Sequence, residues 1–488
     1  MPEVLAALPA GSVLLAFGAL VAATGGRWVG PAGLLAVAIE ALRVPATPVE
    51  ELAAAATVAI LLATGLAALS TVGRDTDAGA SWRDGAALAL AGAALASAQA
   101  TDLRVLGAGL GGAMVLGGLA VRRDPAAPGA SLVARGLGTF SGVLVAVLVA
   151  VGATLRVRSG GSFDVEWVGM PFSGDVPASL IALGLVVVPL LPPRWGGPFE
   201  PLARGAYRGR GLPFAIAGVV PPLAALAAAV RTFGGSEELG RVAAVAFGLA
   251  LLTGSVRRGT SPIRLAVTLY VAVAAALACA SVASEDASDA AALTLIGLAL
   301  AGTASTLALA HVERIRAGAD EPAGAAAERP FAVQDPALFA FALVVLLSLA
   351  VVPGTLVFEG RSLGLRALVV GDEAGQGLGI VLVAAPVAAL FCAPLAVRTY
   401  FTPLKAGARA SLGLVVALGF AAGATVGLGV APGALAPLLP YGLAGGEGGL
   451  GAMNQLQLLI GALLAAVLFA PRVVSGRGPR AASVSSSA

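Results

Sequence analysis

Apolar runs of Ala, Leu, Val and Gly repeat along the whole chain, each roughly twenty residues long and separated by short segments of charge, glycine or proline. None of the runs alternates with period two. A stretch of about 20 apolar residues spans the hydrocarbon core as a helix, and helices satisfy their own backbone in lipid. The pattern therefore predicts spans near 5–24, 28–43, 51–71, 82–101, 103–121, 130–155, 177–193, 212–233, 239–256, 263–283, 289–312, 336–358, 374–397, 409–430 and 453–470. The predicted fold class is all-α and polytopic, with 14 to 15 transmembrane helices. The second run is short. Two segments stand apart from the helices: the loop 156–176, with acidic residues and Trp167, reads as interfacial, and the tail 476–488 has the composition of disorder.

Charge tests this arrangement, because Lys and Arg gather on the cytoplasmic side and the side changes at every helix. With the N-terminus outside, the loops after odd-numbered spans and the C-terminal tail carry 22 of the 30 basic residues against 10 of the 27 acidic ones. The inner side is then +12 and the outer side −9. A missed or extra helix in mid-chain would exchange the sides beyond it and spoil the separation. The expected protein is a multi-pass resident of a bacterial-type inner membrane, N-terminus outside and C-terminus cytoplasmic. No cleavable signal pattern precedes the first span.

Composition agrees: 58% of the residues are hydrophobic and 12% charged, about half the charge of ordinary soluble domains. The mean hydropathy is +0.93 and the pI about 9.2. The basic balance follows membrane topology, and no basic patch interleaved with aromatics points to nucleic acid. Cys279 and Cys392 lie inside apolar runs and read as small buried hydrophobes, giving neither a disulfide framework nor a thiolate metal site.

Candidate chemistry is sparse. There is no nucleotide loop, zinc-ligand spacing or nucleophile elbow, so no catalytic residue, metal ligand or cofactor is expected. The single histidine, His311, lies near a helix end and reads as an interfacial side chain. Most charged residues fall at helix ends, where snorkelling accounts for them. Proline inside helices is the other informative class. Pro189, Pro192 and Pro193 end span 7, Pro221 and Pro222 interrupt span 8, and Pro353 with Gly354 interrupts span 12. A broken membrane helix is tolerated where protein or water satisfies the freed carbonyl, as in a transport path; a packing kink explains any one proline equally well.

The segment 198–222, "PFEPLARGAYRGRGLPFAIAGVVPP", resembles the stretch joining spans 7 and 8 of the antiporter-like membrane subunits of respiratory complex I, in particular subunit N of NADH:quinone oxidoreductase. Pro198, Phe199, Tyr207, Gly209, Pro213 and Pro222 fall in register with that pattern. A second stretch, 347–361, "LSLAVVPGTLVFEGR", is similar to the family's span 12 through Ser348, Leu349, Pro353, Thr355, Phe358 and Gly360. Weaker likenesses lie at 82–123 and 260–270. The resemblance runs colinearly over about residues 80–400.

It implies a fold of two inverted repeats with broken helices, divided as 1–80 (N-terminal helices), 81–235 and 236–400 (the repeats), 401–475 (C-terminal helices) and the tail 476–488. It also implies membrane-arm partners, with NADH and quinone chemistry on other subunits. In the family, protons move along a Glu on span 5 and lysines on spans 7, 8 and 12. The corresponding positions here are Gly111, Pro193, Leu223 and Arg361, and the chain's one lysine, Lys405, falls in a loop. Arginine is effectively always protonated, so Arg361, with Arg194 beside Pro193, can supply fixed charge but no proton relay. The resemblance thus implies a pump scaffold with a degraded proton path. Competing readings are a subunit that still moves protons along water with Arg361 and Arg194 as fixed charges, a stand-alone secondary transporter, and a membrane-embedded glycosyl- or acyltransferase. For the last, the outer loop with Asp164, Glu166 and Asp175 is too poor in polar residues.

Overall fold

The computed structural model describes residues 9–24, 28–43, 51–72, 81–120, 128–165, 175–189, 211–255, 261–281, 285–317, 329–370, 400, 403–404 and 410–438. The expected spans 374–397 and 453–470 lie outside the described residues, as do Pro192, Pro193, Arg194, Trp167, Cys392, Lys405, the segment 190–210 and the tail. Every other expected span is met by a helix.

The helices are α1 (Ser12–Thr24), α2 (Val29–Arg43), α3 (Glu51–Leu69), α4 (Ser81–Ala98), α5 (Leu103–Ala120), α6 (Pro128–Arg158) and α7 (Val176–Ala182). They continue with α8 (Gly211–Phe233), α9 (Glu237–Ser255), α10 (Ser261–Ala280), α11 (Glu285–Ala317), the short α12 (Phe331–Gln334), α13 (Pro336–Leu349), α14 (Leu356–Val370) and α15 (Leu412–Val430). The chain is an all-α, polytopic membrane protein. Among the described residues, six helices are long and apolar enough to cross a bilayer by themselves: α3, α5, α6, α8, α11 and α15. Extended pairing among the described residues is confined to Arg329–Pro330 against Pro403–Leu404 and a bridge between Asp102 and Asp164.

α8 and α11 form the axis of the bundle. The apolar windows Ala215–Phe233 and Ser288–Ile315 are wholly buried, whereas Arg135–Arg158 of α6 is 39% buried and presents Phe140, Val143, Val147 and Val151 outward. α8 packs on α3, α4, α5, α10 and α11, and α11 on α3, α10, α13, α14 and α15. A helix buried on all sides needs no polar face, which is why α8 reads as nearly continuous Ala, Val and Leu.

Small residues set the close contacts. In lipid there is little hydrophobic drive between helices, so association relies on backbones approaching closely at glycine. α1 meets α4 through Gly18 and Gly85, and α5 meets α6 through Gly111 and Gly118 against Gly142 and Gly138.

Spans 7 and 12 begin alike and both lose regularity midway. Asp175 accepts a hydrogen bond from Ala178 N (2.8 Å) and Asp335 from Leu338 N (3.1 Å), each as an N-cap with proline in the first turn. α7 then widens into a π turn, Leu183–Val187, before Pro189. Span 12 divides into α13 and α14. Span 8 differs from the expectation: α8 keeps helical backbone through Pro221 and Pro222, both inside it.

Candidate functional site

Gly111, where the related pattern carries a glutamate, lies on the face of α5 that meets α6. A Cβ there would stand 2.5 Å from the carbonyl oxygen of Gly142 and 3.0 Å from the Cβ of Ala146. No side chain fits without separating the helices, because the obstructing atom is backbone. Leu223, at the lysine position of span 8, is 1% exposed and sits one residue after the paired prolines. Proline has no N–H to give the carbonyl four residues back, so Ala217 and Gly218 lose their helical donors inside the fully buried α8. The first half of the bundle is thus apolar or glycine-lined at these positions.

Span 12 is interrupted at Pro353 and Gly354, as the sequence predicts. α13 ends in a Schellman arrangement in which Val352 N donates to Leu347 O (3.1 Å) and Val351 N to Ser348 O (2.9 Å). The left-handed position is occupied by Val351, at φ +58°, where glycine is usual. Gly354 takes a second positive φ, +84°, and α14 begins at Leu356. Leu349 would next bond to the N–H of residue 353, which is proline, so its buried carbonyl is left without a helical donor.

Arg361 lies on α14, a turn and a half beyond the break. It is half-buried, and its Nε is buried without a hydrogen-bond partner among the described residues. Gly360 and Gly364 beside it let α14 approach α11 and α10: a Cβ at Gly360 would meet Thr294, and one at Gly364 would meet Sγ of the buried Cys279. The structure therefore does not bring Arg361 together with Gly111, which faces α6, and Arg194 lies outside the described residues.

Three buried polar groups differ from the sequence reading. His311 is 1% exposed: its Nδ1 lies 3.2 Å from an Arg314 nitrogen, and its ring meets Phe331 edge-on at 5.9 Å, with Tyr400 packed beyond. Arg231, in the last turn of α8, turns inward and donates to the carbonyls of Ala98 (2.9 Å) and Ala100 (3.0 Å), capping α4. Glu40 accepts from Val13 N at the start of α1 (3.0 Å) and pairs with Arg43 (2.9 Å). Arg231 and Glu40 close helix ends where backbone groups lack partners. Their position near span termini was the one available signal, and it reads equally as snorkelling.

At one end of α5 and α6 the loop 159–165 is folded back. Leu103 N donates to Phe163 O (2.8 Å) and Val165 N to Thr101 O (2.9 Å), while Arg104 lies 3.7 Å from the Phe163 ring centroid. Arg104 holds Asp102 through its side chain, and this hydrogen bonding draws the Asp102 carboxyl below the ordinary carboxylate value. Among the described residues no group of three or more His, Cys, Asp or Glu side chains could hold a metal.

No protein-family model matches the chain, and no curated protein matches it significantly. Solved structures do. A chain of respiratory complex I from Thermus thermophilus, solved with bound aureothin, superposes with TM-score 0.66 at 20% identity, covering 89% of this chain and all of that one. A chain of the membrane-bound sulfane sulfur reductase, an archaeal respiratory membrane complex, gives 0.66 at 18% identity, covering 96% and 85%. A chain of the Mrp complex from Dietzia sp. DQ12-45-1b gives 0.65 at 16% identity, and here 96% of this chain spans 56% of the longer one. At these identities the likeness concerns the fold: the chain has the architecture of the antiporter-like membrane subunits found in complex I, Mrp and related respiratory assemblies.

Proposed function

We propose that this protein is a subunit N-type component of the membrane arm of a complex I-like or antiporter-type assembly, which keeps the fold and lateral contacts of a pump module while its own proton path is closed. The observation that carries the reading is the contact between Gly111 and Gly142, with backbone where the relay needs an ionisable side chain. Leu223 and the unbroken α8 support it. The two repeats, 81–235 and 236–400, are supported by the matching irregularities of spans 7 and 12, five helices apart. Arg361 contributes a fixed positive charge, since a guanidinium does not release its proton at accessible pH. Other subunits carry the redox chemistry.

The test is proton translocation by the reconstituted native assembly. Arg361→Ala is expected to leave the protons moved per electron unchanged. A loss equal to that of one disabled pump module would overturn the reading and favour water-mediated transfer past Arg361.

A stand-alone secondary transporter is the second reading, favoured by the discontinuity at Val351–Gly354, since broken helices line substrate sites in that class. Ion flux through the purified chain alone would select it.

A further inference from the structure

We propose that one end of the α4–α5–α6 group binds an anionic phospholipid, with Trp82, Arg83 and Arg135 around its headgroup and its acyl chains along the outward strip of α6. Trp82 opens α4 and is 39% exposed. The guanidinium carbon of Arg83 lies 5.3 Å from its ring centroid and that of Arg135 5.9 Å, both within the range of a cation–π contact. Arg83 is the next residue in the chain, but Arg135 comes from another helix. It stands where α6 closes on α5, its carbonyl 3.0 Å from the Cβ position of Gly118, and its guanidinium reaches the indole on α4.

The charge at this place is uncompensated. Among the described residues the Arg135 side chain has no carboxylate or hydrogen-bond partner; only its backbone carbonyl is bonded, to the Thr139 hydroxyl. By contrast, Arg104 is held by Asp102, and Arg231 caps α4. Asp84, the acidic residue of the same turn of α4, is buried at 5% exposure, whereas Arg83 and Arg135 are partly exposed. Two cations against one ring repel each other, and a phosphate beside both removes that repulsion and gains charge-assisted hydrogen bonds.

The surface next to the cations selects a lipid over a free anion. Gly136 leaves the helix bare, since a Cβ there would meet nothing within 4 Å. Phe140, Val143 and Val147 then follow outward along α6, 65%, 52% and 52% exposed. From Arg135 to Val147 is about 18 Å of helix, a little more than one leaflet of a hydrocarbon core about 30 Å thick. Headgroup charge and acyl length are thus matched by one continuous strip. The charge distribution assigns this end to the cytoplasmic side, where juxtamembrane arginine draws anionic lipid.

The test is thermal unfolding of the full-length protein in dodecyl maltoside, with added phosphatidylglycerol, phosphatidylcholine or inorganic phosphate, together with native mass spectrometry of retained lipid. Phosphatidylglycerol is expected to raise the melting temperature and the other two additions are not. Arg135→Gln should retain several-fold less phosphatidylglycerol and lose most of the rise, while melting like wild type in phosphatidylcholine. Arg135→Lys, which keeps the charge, should retain the response, as should Arg158→Gln at the opposite end of α6. An equal rise with phosphatidylcholine, as from interfacial anchoring alone, would overturn the proposal. So would a rise with inorganic phosphate, a response unchanged in Arg135→Gln, or no retained phosphatidylglycerol, as when a neighbouring protein covers this face.

Discussion

Gly111 of α5 faces the carbonyl of Gly142 of α6 so closely that a Cβ would stand 2.5 Å from the oxygen. Gly111→Ala forces backbone to move and is expected to cost about 1–3 kcal/mol, the usual penalty of overpacking. Gly136→Ala on the exposed face of α6, with nothing within 4 Å, is the control and should be neutral or stabilising. Thermal unfolding in mild detergent distinguishes the two.

Arg231 joins the end of α8 to the end of α4. Arg231→Met keeps the aliphatic volume but strands the carbonyls of Ala98 and Ala100. Each buried group left unpaired costs about 1–3 kcal/mol. The variant should melt well below wild type, whereas Arg241→Met, whose pairing with Glu237 is exposed, should change stability by at most about 0.5 kcal/mol.

Val351 occupies the left-handed corner of the span 12 break. That conformation costs an L-residue about 1–2 kcal/mol, partly offset in glycine by its greater chain entropy. Val351→Gly should therefore stabilise by roughly 0.5–1 kcal/mol, and Val351→Ala, which keeps a Cβ, should not. Chemical unfolding midpoints read the difference.

Asp102 provides a pH handle. Its carboxyl is drawn below the ordinary value by the Arg104 hydrogen bond, so its contribution to folding is complete above the unfolded value of about 3.9 and is lost as pH falls through the lower folded value. Below about pH 4 the loop 159–165 should loosen first. Hydrogen exchange at the amides of Leu103 and Val165, which bond across that loop, should accelerate there more than the pH dependence of intrinsic exchange requires. Asp102→Asn should remove the effect.

The spans were legible because a helix in lipid must write its whole length in apolar residues, and charge then fixes where each ends. The break in span 12 was legible for a similar reason: Pro353 followed by Gly354 removes a donor and permits a positive φ. Span 8 was not, because two adjacent prolines cost two hydrogen bonds but do not prevent helical dihedrals when surrounding helices hold the segment. His311 was misread as interfacial because sequence position gives depth along a helix but not the direction of the side chain. Gly111 as a lost relay position rests on the resemblance and remains part of the proposal, while its close approach to Gly142 required knowing which helix faces it.

We propose that this chain works as a sealed module within a larger membrane assembly. Purification of the natively expressed protein in mild detergent, with mass spectrometry of what migrates with it, tests this. Stoichiometric co-migration with further membrane subunits and a redox arm is the result predicted; a monodisperse single-chain species that transports ions by itself would contradict it.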